Sequence, residues 1–193
     1  MKYFIGNWKM FGVPKSINIL NKINFFHSKF KNSKKYRVII TPPYTLLESY
    51  ARYFKNKKIL IGSQNCYHKD LFSSDTAAVS PYMIKSVGAK YTLVGHSDNR
   101  KEGDTDELLK EKIKFALKNN LKVVFCIGEN KQDKKNKKTF NVLGKQLSKA
   151  LDKKFNSKNI IVAYEPIWSI GTGKLPTEIE LNNTIVFIKK ILK

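Results

Sequence analysis

Arginine is nearly missing from this sequence. Of 37 basic residues only three are arginine, at positions 37, 52 and 100, and the rest are lysine. Acidic residues number 15, so the formal net charge is +22. A nucleic-acid binder with that charge would favour the planar, bidentate guanidinium for bases and phosphates. The lysine-rich stretches 31–35, 55–58 and 131–138 also lack the interleaved aromatics of a stacking surface, and read as solvated faces. Cysteine is scarce too. Cys66 and Cys126 make no disulfide framework, which points to reduced thiols in a cytoplasmic protein. No run of about 18 apolar residues exists, and the apolar part of the N-terminus is too short for a signal peptide. Neither nucleic acid nor a membrane is therefore expected as a partner.

What is present suffices for a packed core: 193 residues, 41% of them hydrophobic, with no linker or shift in composition. A single domain over 1–193 is expected. Short apolar runs rich in β-branched residues recur at 3–6, 37–41, 59–62, 91–95, 123–128 and 160–164. Each is nearly continuous rather than alternating, the signature of a strand buried on both faces. Between them lie amphipathic stripes. Ile17, Leu20, Ile23 and Phe26 mark one; Leu108, Leu109, Ile113, Ala116 and Leu117 another; Ile179, Ile185, Ile188 and Leu192 a third, opened by Pro176-Thr177-Glu178. Six strand–helix alternations predict an α/β fold with parallel strands and right-handed crossovers.

Four strand ends turn polar where the apolar run stops. The first ends in Gly6-Asn7-Trp8-Lys9, and in an extended chain Asn7 and Lys9 share a side. The fourth ends in Gly95-His96-Ser97, the fifth in Cys126-Ile127-Gly128-Glu129, and the sixth in Glu165. In parallel α/β folds these C-terminal ends converge on one face, where sites form. Lys9, His96 and Glu165 would meet there as a cation, an imidazole and a carboxylate. One lysine among many is ordinarily surface, and a lone histidine is ordinarily structural. Glu165 carries more weight, because a carboxylate adjoining an apolar run seldom lies in a core unpaired. Gly171-Thr172-Gly173 follows it as a mobile lid whose N–H groups suit an anion, with Trp168 and Ile170 to exclude water. Cys126 reads as packing rather than a nucleophile. His27 and His68 show no partner.

At these residues the chain resembles the triosephosphate isomerase family. The stretches are "GNWKM" (6–10), "QNCY" (64–67), "SPYMIKSVGAKYTLVGHS" (80–97), "CIGEN" (126–130) and "AYEPIWSIGTGK" (163–174), in family order and across nearly the whole chain. The resemblance implies a TIM (β/α)8-type barrel that is incomplete here, with six βα units and no strands 7 and 8. It implies isomerisation of a small phosphorylated triose without cofactor or metal. Glu165 would be the base, His96 a neutral imidazole polarising the carbonyl, and Lys9 the cation, with Asn7 orienting nearby groups. The Gly171 N–H would grip the phosphate as the 166–176 loop closes. Ser97, Cys126 and Glu129 would support the site, and Thr76 would reach a neighbour's site across a homodimer.

Several positions depart from the family. Asp98-Asn99-Arg100 stands where it has Glu-Arg-Arg, and Thr76-Ala77-Ala78 where it has Thr-Gly-Glu, so an altered interface is expected. The family's remaining phosphate contacts follow strands 7 and 8, and the open ends of a six-strand sheet should expose apolar core. A partial enzyme that needs a partner chain, or persists as an interaction remnant, is the alternative reading, with a basic nucleic-acid binder behind it.

Overall fold

The computed structural model describes residues 1–152 and 158–192. Strands β1 (Lys2–Asn7), β2 (Tyr36–Thr41), β3 (Ile59–Ser63), β4 (Tyr91–Val94), β5 (Lys122–Ile127) and β6 (Ile160–Tyr164) follow the six apolar runs closely. They form one sheet in sequence order, every neighbouring pair parallel. Helices α1 (Ile17–Lys29), α2 (Tyr44–Tyr53), α3 (Pro81–Ser86), α4 (Ser97–Lys101), α5 (Asp106–Lys118), α6 (Lys131–Lys135), α7 (Thr139–Ala150) and α8 (Glu178–Ile191) occupy the crossovers and follow the last strand. This is the expected incomplete barrel of six βα units.

Local chemistry starts these helices. Ser80 caps α3 through the Met83 N–H, with Pro81 in the first turn. Thr105 caps α5 through the Leu108 N–H. Thr177 and Glu180 form a reciprocal capping box at α8, beside the predicted Pro-Thr-Glu start.

Alternate strand residues feed two cores. On the outer face Ile61, Val94, Val123 and Phe125 pack beneath Leu46, Tyr50, Ile84, Leu109, Ile113 and Leu143 from the helices. On the inner face Ile39, Leu93 and Val124 form a smaller cluster with Ile5, Leu60 and Ile161. Register aligns Ile5 with Ile39 and Ile39 with Leu60, which builds one interior layer. Fully burying each such side chain is worth about 1.5–3 kcal/mol.

Burial on both faces holds for β3, β4 and β5 but not for the ends. β1 exposes its first three residues, and β6 is only half-buried throughout. Each has one strand neighbour among the described residues, so half its surface is uncovered. The same cause corrects two helical stripes. Leu20 is buried in α1 while Phe26 stays exposed, and Ile188 is buried in α8 while Ile179 and Leu192 are not. No helix among the described residues is long and apolar enough to cross a membrane.

Candidate active site

Glu165 directly follows β6, and its N–H is fixed to the Ile127 carbonyl at 2.8 Å. The approach of β5 is unusually close: a Cβ on Gly128 would lie 1.9 Å from the Glu165 carbonyl oxygen. Only glycine fits there. Glu165 Oε2 is shielded from solvent and has no hydrogen-bond partner among the described residues. It lies 3.7 Å from His96 Nε2.

His96 follows β4 and caps α4. Its Nδ1 accepts the Asp98 backbone N–H at 3.1 Å. A nitrogen that accepts a hydrogen bond carries no proton, so the hydrogen sits on Nε2, on the side of Glu165. The imidazole is buried, with Ser97 buried beside it as the first residue of α4. Cys126 is buried next to the same carboxylate. Burial, and then the neighbouring Glu165 charge, push its thiol far above the ordinary range, so it stays protonated and packs.

Asn7 and Lys9 do not lie in an extended chain. Strand β1 stops at Asn7, and Lys9 turns left-handed at φ 51°. The Asn7 Oδ1 holds that turn by accepting the Lys9 N–H at 2.9 Å, and Gln64 Nε2 donates to both the Lys9 and Thr41 carbonyls. So placed, Lys9 Nζ reaches Asp98 Oδ2 at 3.2 Å. Burial disfavours the Asp98 charge, but the Lys9 hydrogen bond and the charges of Lys9 and Lys101 oppose it, and its pKa lies below the usual carboxylate range. Lys9, Asp98, His96 and Glu165 therefore form one continuous polar line across the strand ends.

Glu129 is fully buried, and its hydrogen bonds go to the loop and its supports rather than to His96 or Glu165. Its Oε1 accepts from Trp168 Nε1 at 2.9 Å, Tyr164 OH at 3.1 Å and Thr139 Oγ1 at 3.3 Å. This ties the root of the 166–176 loop to β6 and α7. Burial, followed by the Glu129 charge, keeps the Tyr164 phenol protonated and donating. Gly171 is not brought to the pair. It sits exposed at φ 71°, with nothing within 4 Å of where a Cβ would stand. Thr76 is also exposed, in the loop between β3 and α3. Beside it Ala77 holds φ 63°, a left-handed backbone where the family has glycine.

Sequence reasoning missed Gln64, Asp98 and Gly128 as site residues. Gln64 stands in a quoted motif, but its two carbonyl partners lie 55 and 23 residues away. Asp98 was visible as a departure, not as the partner of Lys9. His68, which had no visible partner, packs against the neighbouring Tyr67 ring at 4.1 Å, tilted by 42°.

Residues 2–193 match the family model described as triosephosphate isomerase. The triosephosphate isomerase of Leptospira interrogans serogroup Icterohaemorrhagiae serovar copenhageni is 36% identical over 96% of this chain and 74% of its own length. That of Thermodesulfovibrio yellowstonii is 33% identical over the whole of this chain and 77% of its own. The crystal structure of triosephosphate isomerase from Bartonella henselae superposes with a TM-score of 0.86 at 30% identity, covering 97% of this chain and 74% of that one. The 193 residues thus span about three quarters of the length of these relatives.

Proposed function

Because the chain belongs to the triosephosphate isomerase family, we propose that it interconverts dihydroxyacetone phosphate and glyceraldehyde 3-phosphate through an enediolate, without a cofactor. The observation that carries this reading is the facing pair of Glu165 Oε2 and His96 Nε2, 3.7 Å apart across the ends of β6 and β4. Glu165 takes the proton from the carbon beside the carbonyl. Its Oε2 is desolvated and unbonded among the described residues, so its lone pair is available. His96 donates from Nε2 to the carbonyl oxygen and returns the proton between the two oxygens, the acid/base pairing of this family. Lys9 leaves Asp98 to offset the charge of the enediolate and phosphate, on the backbone that Asn7 and Gln64 hold.

The 166–176 loop closes to bring the Gly171 N–H to the phosphate and to expel water, which would otherwise drain the enediolate by phosphate elimination. The +22 charge draws the dianion in, an advantage that salt removes. The chain works as one domain in the cytoplasm, and in a homodimer Thr76 projects towards the partner's site.

Conversion of glyceraldehyde 3-phosphate by the purified chain tests this, with Glu165→Gln prepared in parallel to exclude host enzyme. Glu165→Gln and His96→Gln should each remove the activity and leave the melting temperature unchanged. Wild-type rates in both variants would end the assignment. The uncovered ends of the sheet favour a second reading beside the first, in which these residues turn over slowly by themselves. Binding energy from the non-reacting phosphate closes the lid, and two or three lost contacts at about 1.5–3 kcal/mol each cost several orders of magnitude in rate. A folded sample no faster than its Glu165→Gln control would support that reading.

A further inference from the structure

The end of β5 carries a backbone demand that the sheet does not meet. The Glu165 N–H donates to the Ile127 carbonyl at 2.8 Å, and the Ile167 N–H to the Glu129 carbonyl at 3.0 Å. By the alternation of a parallel ladder, Gly128 between them turns its own N–H and C=O away from β6. Gly128 is buried, and β4 has already ended at Val94. Neither group takes a backbone partner among the described residues. A buried N–H and C=O left in this way are strongly unfavourable, so a side chain must answer both.

Gln146 answers them from α7. The Gly128 N–H donates to Gln146 Oε1 at 3.0 Å, and Gln146 Nε2 donates to the Gly128 carbonyl at 3.1 Å. A primary amide sets one acceptor and one donor side by side, so it fills the place that a neighbouring strand residue would take. The helix behind it is firmly seated, because Leu143 and Leu147 are buried in the outer core. On its other flank Gly128 has no room to move. There a Cβ would stand 1.9 Å from the Glu165 carbonyl oxygen. Wherever Gln146 holds Gly128, the backbone of Glu165 has to follow.

We propose that Gln146 is a positioning residue for Glu165. Through Gly128 it fixes the end of β5. Through the Ile127 and Glu129 carbonyls, that end fixes the backbone at Glu165 and just beyond it. The carboxylate is thereby kept 3.7 Å from His96 although β6 itself is only half-buried. This rests on the reading of Glu165 as the base, but its backbone part is measurable without turnover. Gln146 bonds to Gly128 and not to the reacting pair, so its loss should lower kcat and leave substrate binding nearly intact.

Gln146→Met keeps the side chain's length and packing and removes both hydrogen bonds. In native-state hydrogen exchange Gly128, Glu165 and Ile167 should each lose protection by about tenfold or more, while Leu93 and Val94 in β4 stay within about twofold. In turnover kcat should fall about tenfold, with KM within about twofold of the original. Three results would overturn the proposal: Gly128 loosening alone while Glu165 keeps its protection, an equal loss of protection across β4, or KM rising at constant kcat. A wild-type chain that fails to isomerise would instead sink the reading of Glu165 as a base. Exchange at Glu165 would still decide whether Gln146 holds it. If Gln146→Met does not fold, Gln146→Glu takes its place. The neutral acid can donate to the Gly128 carbonyl and accept its N–H, whereas the carboxylate can only accept. Protection at Glu165, corrected for intrinsic exchange, should match wild type at low pH and drop about tenfold as the new carboxyl ionises. Protection equal to wild type on both sides of that ionisation would overturn the proposal.

Discussion

Strand β4 is buried along its whole length, whereas β1, at the edge of the same sheet, exposes Lys2, Tyr3 and Phe4. The contrast extends to the helices. Leu109, Ile113 and Ala116 of α5 are fully buried over the middle strands, while α8 at the other edge leaves Ile179 72% exposed and Val186 67% exposed. The candidate site spans both regions. His96 rises from the buried middle, Glu165 from the half-buried β6, and Asn7 and Lys9 from the uncovered β1. The proposed reacting pair, 3.7 Å apart, thus has one member on stiff ground and one on an edge. Chemistry here depends on whatever steadies the edges against the middle.

The largest expected effect breaks the comparison if it fails. Ile113→Ala empties a fully buried site under the middle strands and should cost about 3–4 kcal/mol in denaturant unfolding. Ile179→Ala at the edge should cost less than about 0.5 kcal/mol. Equal costs would mean that α8 is covered in solution. Next comes the seam between middle and edge. In Gly128→Ala the new methyl meets the Glu165 carbonyl, so β6 must shift away from β5. A loss of about 2–3 kcal/mol is expected, with a larger loss of kcat than of substrate binding because the base is displaced. Unchanged kcat would show that Glu165 needs no fixed backbone.

The other seam joins β1 to the middle through one side chain. Gln64 donates to the Lys9 and Thr41 carbonyls at 2.8 and 2.9 Å, so Gln64→Ala releases the left-handed Lys9 turn. A fall of about tenfold in kcat/KM, roughly 1.4 kcal/mol, should follow with little change in melting temperature. Gln64→Glu, which keeps the length but not the donor, should not rescue it. Rescue would move the role from positioning Lys9 to something else.

The middle and the edges also differ in how far the sequence reveals them. All six strands were legible, since continuous apolar runs ending in polar residues are local signals that each strand carries alone. The place of His96 and Glu165 at the ends of their strands was legible for the same reason. The incomplete burial of β1 and β6 was legible only from the count of six units, because a run such as 160–164 by itself reads alike whether one neighbour or two flank it. The left-handed Lys9 was hidden among many lysines, and its partner Asp98 lies 89 residues away. Lys112, buried and paired with Asp104 at 2.6 Å, is equally silent in a chain where lysine is ordinarily surface. Glu129 showed only as the residue after a strand. That three hydroxyl and indole donors meet on its Oε1 depends on how β6, α7 and the loop pack.

A smaller effect, and a gain rather than a loss, is expected in the loop between β3 and α3, away from both seams. Ala77 adopts φ 63°, where an L side chain crowds the following carbonyl and glycine does not. Ala77→Gly relieves that crowding but loosens the unfolded chain, and the two terms oppose each other. The relief is the larger at a left-handed position, so the variant should gain about 0.5–1 kcal/mol and leave kcat unchanged in the chain alone. A loss of stability would instead show that the loop changes conformation in solution, as a segment that settles only against a partner subunit would do.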